Sequence, residues 1–400
     1  MPVQNWPMAV TLALVLAVFA VGVDTYIVAA LLPAVADDLQ SPIAVVGLLA
    51  SAYALPAALL APALGPISDR RGRRFALMLG LGIFVVAAGA CVVAPSLPFL
   101  LAARLLNGVG AAIIMPAAFA AAGDLPDRDQ RARMIALLSA MFPLASLLGL
   151  PIGALAAIVA GWRASFLFIA LVAVVALVLL SRLPATVPDR SNAPAYGAAI
   201  RTVLSDRRAL QVLLVTFVWF AGSFGLFIYV GEFIHVTYGV PAAQAGLVYV
   251  LVGVVGLAAT RLSGRFIARV GPRRAVLIGL TCFMVATLSL TVTAVALPVS
   301  LAIFAVWAFG TWFGVPGIQT IVAELSETAR GTMLAFNSSA LNLGAVVGPI
   351  VTGLALSAGG FALAAPWTAF LAGCALVIAY RVLPRTRPSG HLLVTLPSDA

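Results

Sequence analysis

The chain has 400 residues, of which 63% are hydrophobic and only 9% are charged, and its mean hydropathy is +1.14. Soluble globular domains carry about 25% charged residues, so this composition excludes a soluble globule and predicts a polytopic membrane protein. All 23 basic residues are arginines, and the formal net charge is +10. The placement of these arginines along the chain decides whether the charge indicates a nucleic-acid partner or the orientation of the protein in the membrane.

Apolar runs of about 17 to 26 residues, bounded by Arg, Asp, Pro or Gly, predict twelve transmembrane helices. The first six are predicted at 8–33, 43–64, 75–94, 98–122, 134–158 and 164–182. The other six are predicted at 209–232, 242–264, 275–296, 298–323, 332–356 and 361–381. The predicted units are an N-terminal six-helix half at 1–183, a cytoplasmic linker at 184–208, a C-terminal half at 209–383 and a cytoplasmic tail at 384–400.

The arginines predict the orientation of these helices. With both termini in the cytoplasm, 20 of the 23 arginines lie inside, Arg163 lies outside, and Arg104 and Arg261 lie within helices. This asymmetry follows the positive-inside rule, and the basic charge then faces anionic lipid, so no nucleic-acid partner is predicted. We therefore expect a multi-pass protein of a bacterial cytoplasmic membrane.

The two halves of the chain repeat each other at a spacing of 199 or 200 residues. The matched positions are Gly65 with Gly264, Gly72 with Gly271, Arg74 with Arg273, Pro116 with Pro316, and Asp124 with Glu324. Parallel six-helix halves of this kind are the architecture of a large class of secondary transporters, whose substrate site lies between the halves near the middle of the membrane.

Asp24 and Arg104 are charged residues at membrane depth. A charge at the bilayer centre costs about 2.5–3.5 kcal/mol on insertion scales, so such residues tend to be functional. At 1.5 Å per residue, Asp24 lies about 24 Å along predicted helix 1, roughly 6 Å below the outer surface. Arg104 lies about 9 Å below the same surface, on a helix that runs the other way. The shared level would let the two charges pair and lower the cost of burying each.

A carboxyl group in an alternately opened cavity can carry a proton. Desolvation raises the pKa of a carboxyl group and a nearby cation lowers it, so its protonation can change as access switches sides. We expect Asp24 to face an aqueous vestibule and to carry the proton, with Arg104 tuning it; the alternative is a static structural ion pair. Glu232, near the end of predicted helix 7, is a weaker proton candidate and is more simply a solvated helix end.

Catalytic and metal-binding patterns are missing from the sequence. Its three cysteines stand singly in apolar runs and it has two histidines, so no disulfide or metal-ligand spacing exists. It has no HExxH or GxSxG motif, and the phosphate-binding GxxxxGK[ST] loop needs a lysine that the chain lacks. We expect no enzyme activity, no metal and no cofactor; energy would come from an ion gradient or from the gradient of the substrate itself.

The segment GPISDRRGRR, from Gly65 to Arg74, matches the GxxxD(R/K)xGRR signature of the major facilitator superfamily. Further motifs resemble the drug:proton antiporter-1 branch, near the arabinose, nucleoside and chloramphenicol exporters. They are Asp24 with Leu32-Pro33, Arg104 with Gly108 and Gly110, Gly149-Leu150-Pro151-Ile152-Gly153, Gly161-Trp162-Arg163, and Asn337 with Asn342, Gly344 and Gly348. The helix 5 motif departs from the family pattern because it lacks the full run of glycines.

The resemblance implies one role for the loop between helices 2 and 3 and another for the helix 5 motif. The loop between helices 2 and 3 is implied to be a gate, formed by Gly65, Asp69, Arg70, Gly72, Arg73 and Arg74. Asp69 would oppose the positive N-terminus of helix 11 near Arg330, a contact of about 0.3–1 kcal/mol that can break in each cycle. The second-half loop has Ala268 in place of Asp69, which suggests that only the first loop is a full gate. Gly149, Pro151 and Gly153 are implied to form an antiporter motif.

By the same resemblance, helices 1, 4, 7 and 10 and parts of 5, 8 and 11 line a substrate cavity. Most candidate residues there are aromatic, Met or Asn, which suits a lipophilic or amphipathic ligand. They are Tyr26, Asn107, Met115, Met141, Phe142, Trp219, Phe220, Phe224, Trp307, Trp312, Phe336, Asn337 and Asn342.

The sequence thus predicts a monomeric, proton-coupled drug exporter that works by alternating access. Export of an endogenous metabolite, such as a sugar, nucleoside or biosynthetic product, is the alternative, and uptake symport is a third possibility. A membrane-embedded enzyme would need a nucleophile with a base, or a metal cluster. A receptor or scaffold would leave the intramembrane acid and the gating loop unexplained.

Overall fold

The computed structural model describes residues 8–125, 128–181, 196–291, 296–325 and 330–383, without the side chains of 61–70 and of some other residues within these ranges. Twelve of its helices are long and apolar enough to cross a membrane, as predicted. We number them as spans 1–12, and the described residues contain no strand.

The bounds of the spans lie close to the hydropathy predictions. Spans 1–4 and 6 are Met8–Asp38, Leu48–Arg71, Arg73–Val92, Leu97–Gly123 and Trp162–Ser181. Span 5 consists of the α-helices Arg128–Leu144 and Leu150–Ala160, joined by the π-helical turn Ala145–Gly149. Spans 7–12 are Arg207–Tyr238, Val248–Val270, Pro272–Ser289, Leu297–Glu324, Arg330–Gly359 and Phe361–Val382.

Three details of the prediction are corrected. Spans 2 and 8 begin later than predicted, because one-turn helices, Ile43–Val46 and Ala242–Ala245, precede them. Both spans also continue past their apolar runs, since a helix in water beyond the membrane surface needs no apolar residues. The predicted linker contains a short helix, Tyr196–Ser205. Residues 182–195 and the predicted tail at 384–400 lie outside the described ranges.

The first six and the last six spans pack in the same order. In the first half, span 1 contacts span 6, span 3 contacts spans 4 and 6, and span 2 contacts span 4. In the second half, span 7 contacts span 12, span 9 contacts spans 10 and 12, and span 8 contacts span 10. Two close approaches also correspond: a Cβ on Gly110 would lie 2.9 Å from the carbonyl oxygen of Gly80, and one on Gly310 would lie 2.6 Å from that of Gly279. Small residues permit such contacts between membrane helices, and the sequence repeat is therefore a structural repeat.

The two halves meet through spans 1 and 7, 2 and 11, and 5 and 8. Hydrogen bonds join them toward the end of the bundle opposite the described termini. Ser51 Oγ donates to the carbonyl oxygen of Val346 at 2.7 Å, and Tyr249 Oη donates to that of Ala29 at 3.3 Å. Residues 225–231 of span 7 are all buried at this end, whereas residues 207–214 include several exposed ones. The halves are therefore closed against each other at one end.

Candidate functional site

Asp24 on span 1 and Arg104 on span 4 form an ion pair inside the first half. Arg104 Nη1 donates to Asp24 Oδ1 at 2.6 Å, and Arg104 Nη2 donates to the backbone carbonyl oxygen of Asp24 at 3.0 Å. Both side chains are 0% exposed. The common level predicted from helix geometry thus brings two opposite charges into contact, and each offsets part of the cost of burying the other.

Asn107, one turn after Arg104 on span 4, also binds Asp24. Its Nδ2 donates to Asp24 Oδ2 at 2.8 Å, so both carboxyl oxygens accept a hydrogen bond. Asn107 is fully buried, and among the described residues its Oδ1 has no partner. Its position one turn from Arg104 directs Asn107 to span 1 in this conformation, and the role predicted for it in a substrate cavity stays a prediction.

Aromatic rings from spans 2 and 6 enclose the pair. The guanidinium carbon of Arg104 lies 4.3 Å from the ring centre of Tyr53 and 5.8 Å from that of Phe166. Arg104 Nε also donates to the carbonyl oxygen of Leu49 at 3.4 Å. The expectation that Asp24 faces an aqueous vestibule is wrong for this conformation, because its neighbours leave the carboxyl group no exposed surface. Proton access therefore requires a rearrangement of these spans.

The glycines of span 5 bring it against span 1 on either side of Asp24. A Cβ on Gly149 would overlap the side chain of Val23, and one on Gly153 would overlap that of Ile27. Val23 and Ile27 flank Asp24 in the chain. The motif that resembles an antiporter signature therefore packs on the helix that carries the buried acid.

Span 5 also changes its backbone hydrogen bonding at this contact. The turn Ala145–Gly149 is π-helical, and Pro151, which has no N–H to donate, follows two residues later. Prolines and π-helical turns are common causes of bends in helices, and π-helical turns occur frequently at functional sites. Span 5 thus has a point of reduced backbone regularity beside Asp24.

Aromatic side chains join the two halves next to this region. We call Tyr26, Phe224, Phe227, Tyr249 and Trp307 the aromatic bridge. Phe227 is at its centre, with its ring centre 5.5 Å from that of Tyr26, 5.6 Å from Phe224, 4.9 Å from Tyr249 and 6.2 Å from Trp307. The sequence prediction included three of these residues and missed Phe227 and Tyr249. The position of Phe227 one turn after Phe224 was a usable signal, because such residues share a helix face.

The other predicted cavity residues lie elsewhere in the spans. Trp219 is fully buried against Gly314 of span 10. Asn337 accepts a hydrogen bond from Thr216 at 2.8 Å, and Asn342 donates to a carbonyl oxygen of its own helix. Met141 is buried, and the half-buried members of the set are Met115, Phe142, Phe220, Trp312 and Phe336. Of the predicted cavity residues, only Tyr26 and Phe224 contact a ring of the opposite half among the described ring pairs.

Glu232 is placed differently from the prediction. It is half-buried, and its Oε2 is enclosed without a hydrogen-bond partner among the described residues. The prediction of a solvated helix end is wrong here, because span 7 continues to Tyr238.

The predicted gate at residues 65–74 is described in part. The side chains of Asp69 and Arg70, and the surroundings of Gly65, lie outside the described residues, as does the side chain of Arg330. Gly72, which joins spans 2 and 3, has a φ of +91°, a backbone conformation that favours glycine. The proposed contact of Asp69 with span 11 therefore stays a prediction.

The arginines after Gly72 tie span 3 to its neighbours. Arg73 Nε donates to Asp124 Oδ2 at the end of span 4 at 2.8 Å, and Arg74 Nη2 donates to the carbonyl oxygen of Ser181 at the end of span 6 at 2.7 Å. In the second half, Arg273 repeats the second contact and donates to the end of span 12 at 2.9 Å. These contacts fasten the helices within each half at the end that carries the termini.

Asp38 is a structural residue that the sequence reasoning missed. Arg163 Nη1 donates to Asp38 Oδ2 at 2.7 Å, and Trp162 Nε1 donates to the same oxygen at 3.0 Å. Arg163 Nη2 also donates to the carbonyl oxygen of Ala94 at 2.9 Å. The Gly161-Trp162-Arg163 motif thus fastens spans 1, 3 and 6 at the closed end.

Twelve spans in two matching halves, with a buried ion pair in one half, define a polytopic membrane transport protein. The family model described as the Major Facilitator Superfamily matches residues 14–328, and the chain belongs to this family.

Relatives over nearly the whole chain are bacterial transport proteins. The chain is 27% identical to "Uncharacterized MFS-type transporter YwfA" of Bacillus subtilis (strain 168) over 364 residues, covering 90% of this chain and 88% of the relative. It is 27% identical to "Inner membrane transport protein YdhP" of Escherichia coli (strain K12) over 387 residues, covering 94% and 95%. A shorter match, 36% over 141 residues, links 35% of the chain to 30% of "Methylenomycin A resistance protein" of Bacillus subtilis (strain 168).

Solved structures share the fold. The crystal structure of a D-xylose-proton symporter aligns with a TM-score of 0.77, covers 96% of this chain and 99% of that one, and is 19% identical in sequence. This likeness supports the architecture of the twelve spans.

Proposed function

We propose that the protein is a proton-coupled exporter of small lipophilic or amphipathic compounds, which works by alternating access of its halves at 1–183 and 209–383. The observation that carries this proposal is the buried assembly of Asp24, Arg104 and Asn107. An ionisable group at membrane depth is costly, and a proton carrier must be ionised in one part of the cycle and protonated in another. Drug efflux, and with it antibiotic resistance, is the corresponding physiological role.

The proposal includes the orientation that the arginines predict, with both termini in the cytoplasm of a bacterial cell and a monomer as the working unit. A full-length relative described as an inner membrane transport protein supports this location. In this orientation the closed end of the bundle faces the outside, and the structure corresponds to an inward-facing state.

In the proposed cycle, Asp24 is ionised and paired with Arg104 in the inward-facing state. Opening of the outer end admits a proton from outside to the carboxyl group. Protonation removes the charge attraction between spans 1 and 4, and the proton leaves to the cytoplasm during the return to the inward-facing state, before Asp24 and Arg104 pair again. Export of one substrate molecule accompanies the entry of one proton in the simplest form of this scheme.

Asn107 supports a change of protonation at Asp24. Its Nδ2 donates to the ionised carboxyl group, while its Oδ1 is without a partner among the described residues. Reversal of the amide would present Oδ1 to a protonated carboxyl group, which donates one hydrogen bond. The same side chain can therefore serve both protonation states.

A short stretch of span 2 connects this site to the contact between the halves. The carbonyl oxygen of Leu49 accepts from Arg104, and the ring of Tyr53 lies against the Arg104 guanidinium. Between them, Ser51 donates to the carbonyl oxygen of Val346 on span 11. A movement of Arg104 would therefore act on the outer contact within one helical turn, which supplies a physical link between protonation and opening.

Replacing Ser51 by Ala is expected to shift the protein toward the outward-open state. A buried hydrogen bond contributes about 0.5–1.5 kcal/mol, so its loss changes the ratio of states by up to about tenfold. Distances between spin labels at the outer ends of spans 2 and 11 would measure the shift. Ser139→Ala is the control, because Ser139 bonds only to a carbonyl oxygen of its own helix. Equal distance distributions for both variants would remove Ser51 from the outer contact.

Replacing Gly149 by Ala is expected to reduce transport. The added methyl group would have to displace Val23, a stiff β-branched side chain next to Asp24, and overpacking of this kind costs about 1–3 kcal/mol. Transport in inverted vesicles and thermal unfolding would be compared with Gly89→Ala in span 3, where a new Cβ meets nothing within 4 Å. Wild-type transport by Gly149→Ala would show that this close contact is unnecessary.

The aromatic bridge supports a lipophilic substrate. Its rings offer apolar and stacking surfaces, and Asp24 and Arg104 neutralise each other at the neighbouring site. A compound without net charge would enter such a region at a lower desolvation cost than a cation. The partial likeness to a methylenomycin A resistance protein is consistent with this class of substrate.

Drug-susceptibility measurements in a pump-deficient bacterial host would test the function. Expression of the protein is expected to raise resistance to uncharged lipophilic antibiotics, and a protonophore is expected to abolish the gain. Resistance that survives the protonophore would exclude proton coupling. Efflux of endogenous sugars or nucleosides without any drug resistance would instead favour the metabolite exporter.

A further inference from the structure

A hollow opens between spans 7, 10 and 12 at the end of the bundle that carries the termini. Its volume is about 560 Å³, which falls in the range of roughly 300–1,000 Å³ typical of ligand pockets. Arg208, Gln211 and Arg381 line it with polar groups, and Val212, Leu325 and Val382 line it with aliphatic ones. The Asp24 site and the aromatic bridge share none of these residues.

The two arginines of the hollow come from different spans. No ion pair of Arg208 or Arg381 occurs among the described residues, whereas Arg73 and Arg163 each bind a carboxylate. Asp206 lies nearby in sequence, and its carboxyl group accepts from the backbone N–H of Arg208 at 2.8 Å as the cap of span 7. Within the described part of the chain, the hollow therefore has two guanidinium groups without a carboxylate partner.

We infer that this hollow binds the phosphate group of an anionic membrane phospholipid. Guanidinium groups bind phosphate oxygens in a bidentate manner, and the amide of Gln211 supplies a further donor. The aliphatic side chains fit the glycerol end of the acyl chains, a part that free phosphate lacks. Basic pockets between membrane helices at the cytoplasmic surface are suited to such head groups.

Thermal unfolding and native mass spectrometry of the purified, detergent-solubilised chain would test this site. Phosphatidylglycerol is expected to bind and to raise the unfolding temperature, and phosphatidylethanolamine or inorganic phosphate is expected to have little effect. Arg208→Gln and Arg381→Gln are each expected to weaken phosphatidylglycerol binding about tenfold, the factor for one charged hydrogen bond. Arg207→Gln is the matched control, since Arg207 is exposed on the same helix turn and does not line the hollow.

Three outcomes would overturn the inference. Equal binding of phosphatidylethanolamine, or equal losses in Arg207→Gln and Arg208→Gln, would indicate unspecific surface attraction. The same stabilisation by inorganic phosphate alone would show that the ligand is a soluble phosphate and not a lipid. These measurements report lipid binding and not transport, so their outcome does not depend on the proposed export activity.

Discussion

Replacing Asp24 by Asn is expected to abolish proton-coupled efflux while the protein still folds. The amide keeps an acceptor for Arg104 Nη1, and its new N–H groups can donate to the unpaired Oδ1 of Asn107. The group can no longer bind and release a proton. Substrate efflux from inverted vesicles with an imposed pH gradient would measure the loss, with binding of the substrate as a check of folding.

The matched control for this variant is Asp38→Asn. Asp38 is a carboxylate on the same span that also pairs with an arginine, and its side chain is 45% exposed. It has no role in the proposed cycle, so the control is expected to keep pH-driven efflux. Undiminished pH-driven efflux by Asp24→Asn would remove Asp24 from the coupling mechanism and leave the static ion pair as its role.

Replacing Arg104 by Gln is expected to cause a large loss of stability. It leaves the carboxylate of Asp24 buried without its cation, and breaking one side of a buried pair costs about 3–5 kcal/mol. Chemical unfolding in detergent would measure the decrease in the free energy of unfolding. Arg163→Gln is the control, because its pair with Asp38 is partly exposed and such pairs contribute about 0–1 kcal/mol.

The double variant Asp24→Asn with Arg104→Gln separates stability from coupling. It removes both charges, so it is expected to recover much of the stability lost by Arg104→Gln alone. It is still expected to lack proton-coupled efflux. Recovered coupling in the double variant would show that another residue carries the proton. Glu232, whose Oε2 has no partner among the described residues, would then be the next residue to mutate.

In this conformation the ion pair of Asp24 and Arg104 is sealed from water. A carboxyl group that is 0% exposed exchanges no proton with water in this conformation. Leu49 and Tyr53 of span 2 form part of the seal, and Ser51 between them bonds to span 11, so the opening of the outer end and the exposure of Asp24 would be one movement. In the proposed orientation, this arrangement would keep the path from the outside to Asp24 closed while the cytoplasmic side is open.

The sequence by itself determined the number of spans, the repeat and the level of the buried charges. Hydropathy is a property of local chain segments, and a fixed rise of 1.5 Å per residue converts sequence position into depth. These two facts were enough to place Asp24 and Arg104 at one height on different helices. The placement of the arginines likewise gave the proposed orientation.

Only the tertiary structure decided which faces of the helices meet. In a membrane, apolar residues face lipid and protein interior alike, so hydrophobic periodicity does not mark the packed face as it does in water. Asn107 therefore turned out to bind Asp24 in this conformation, and Tyr53 and Asp38 gained contacts that no local pattern indicated. Those contacts depend on the packing of helices that lie far apart in the chain.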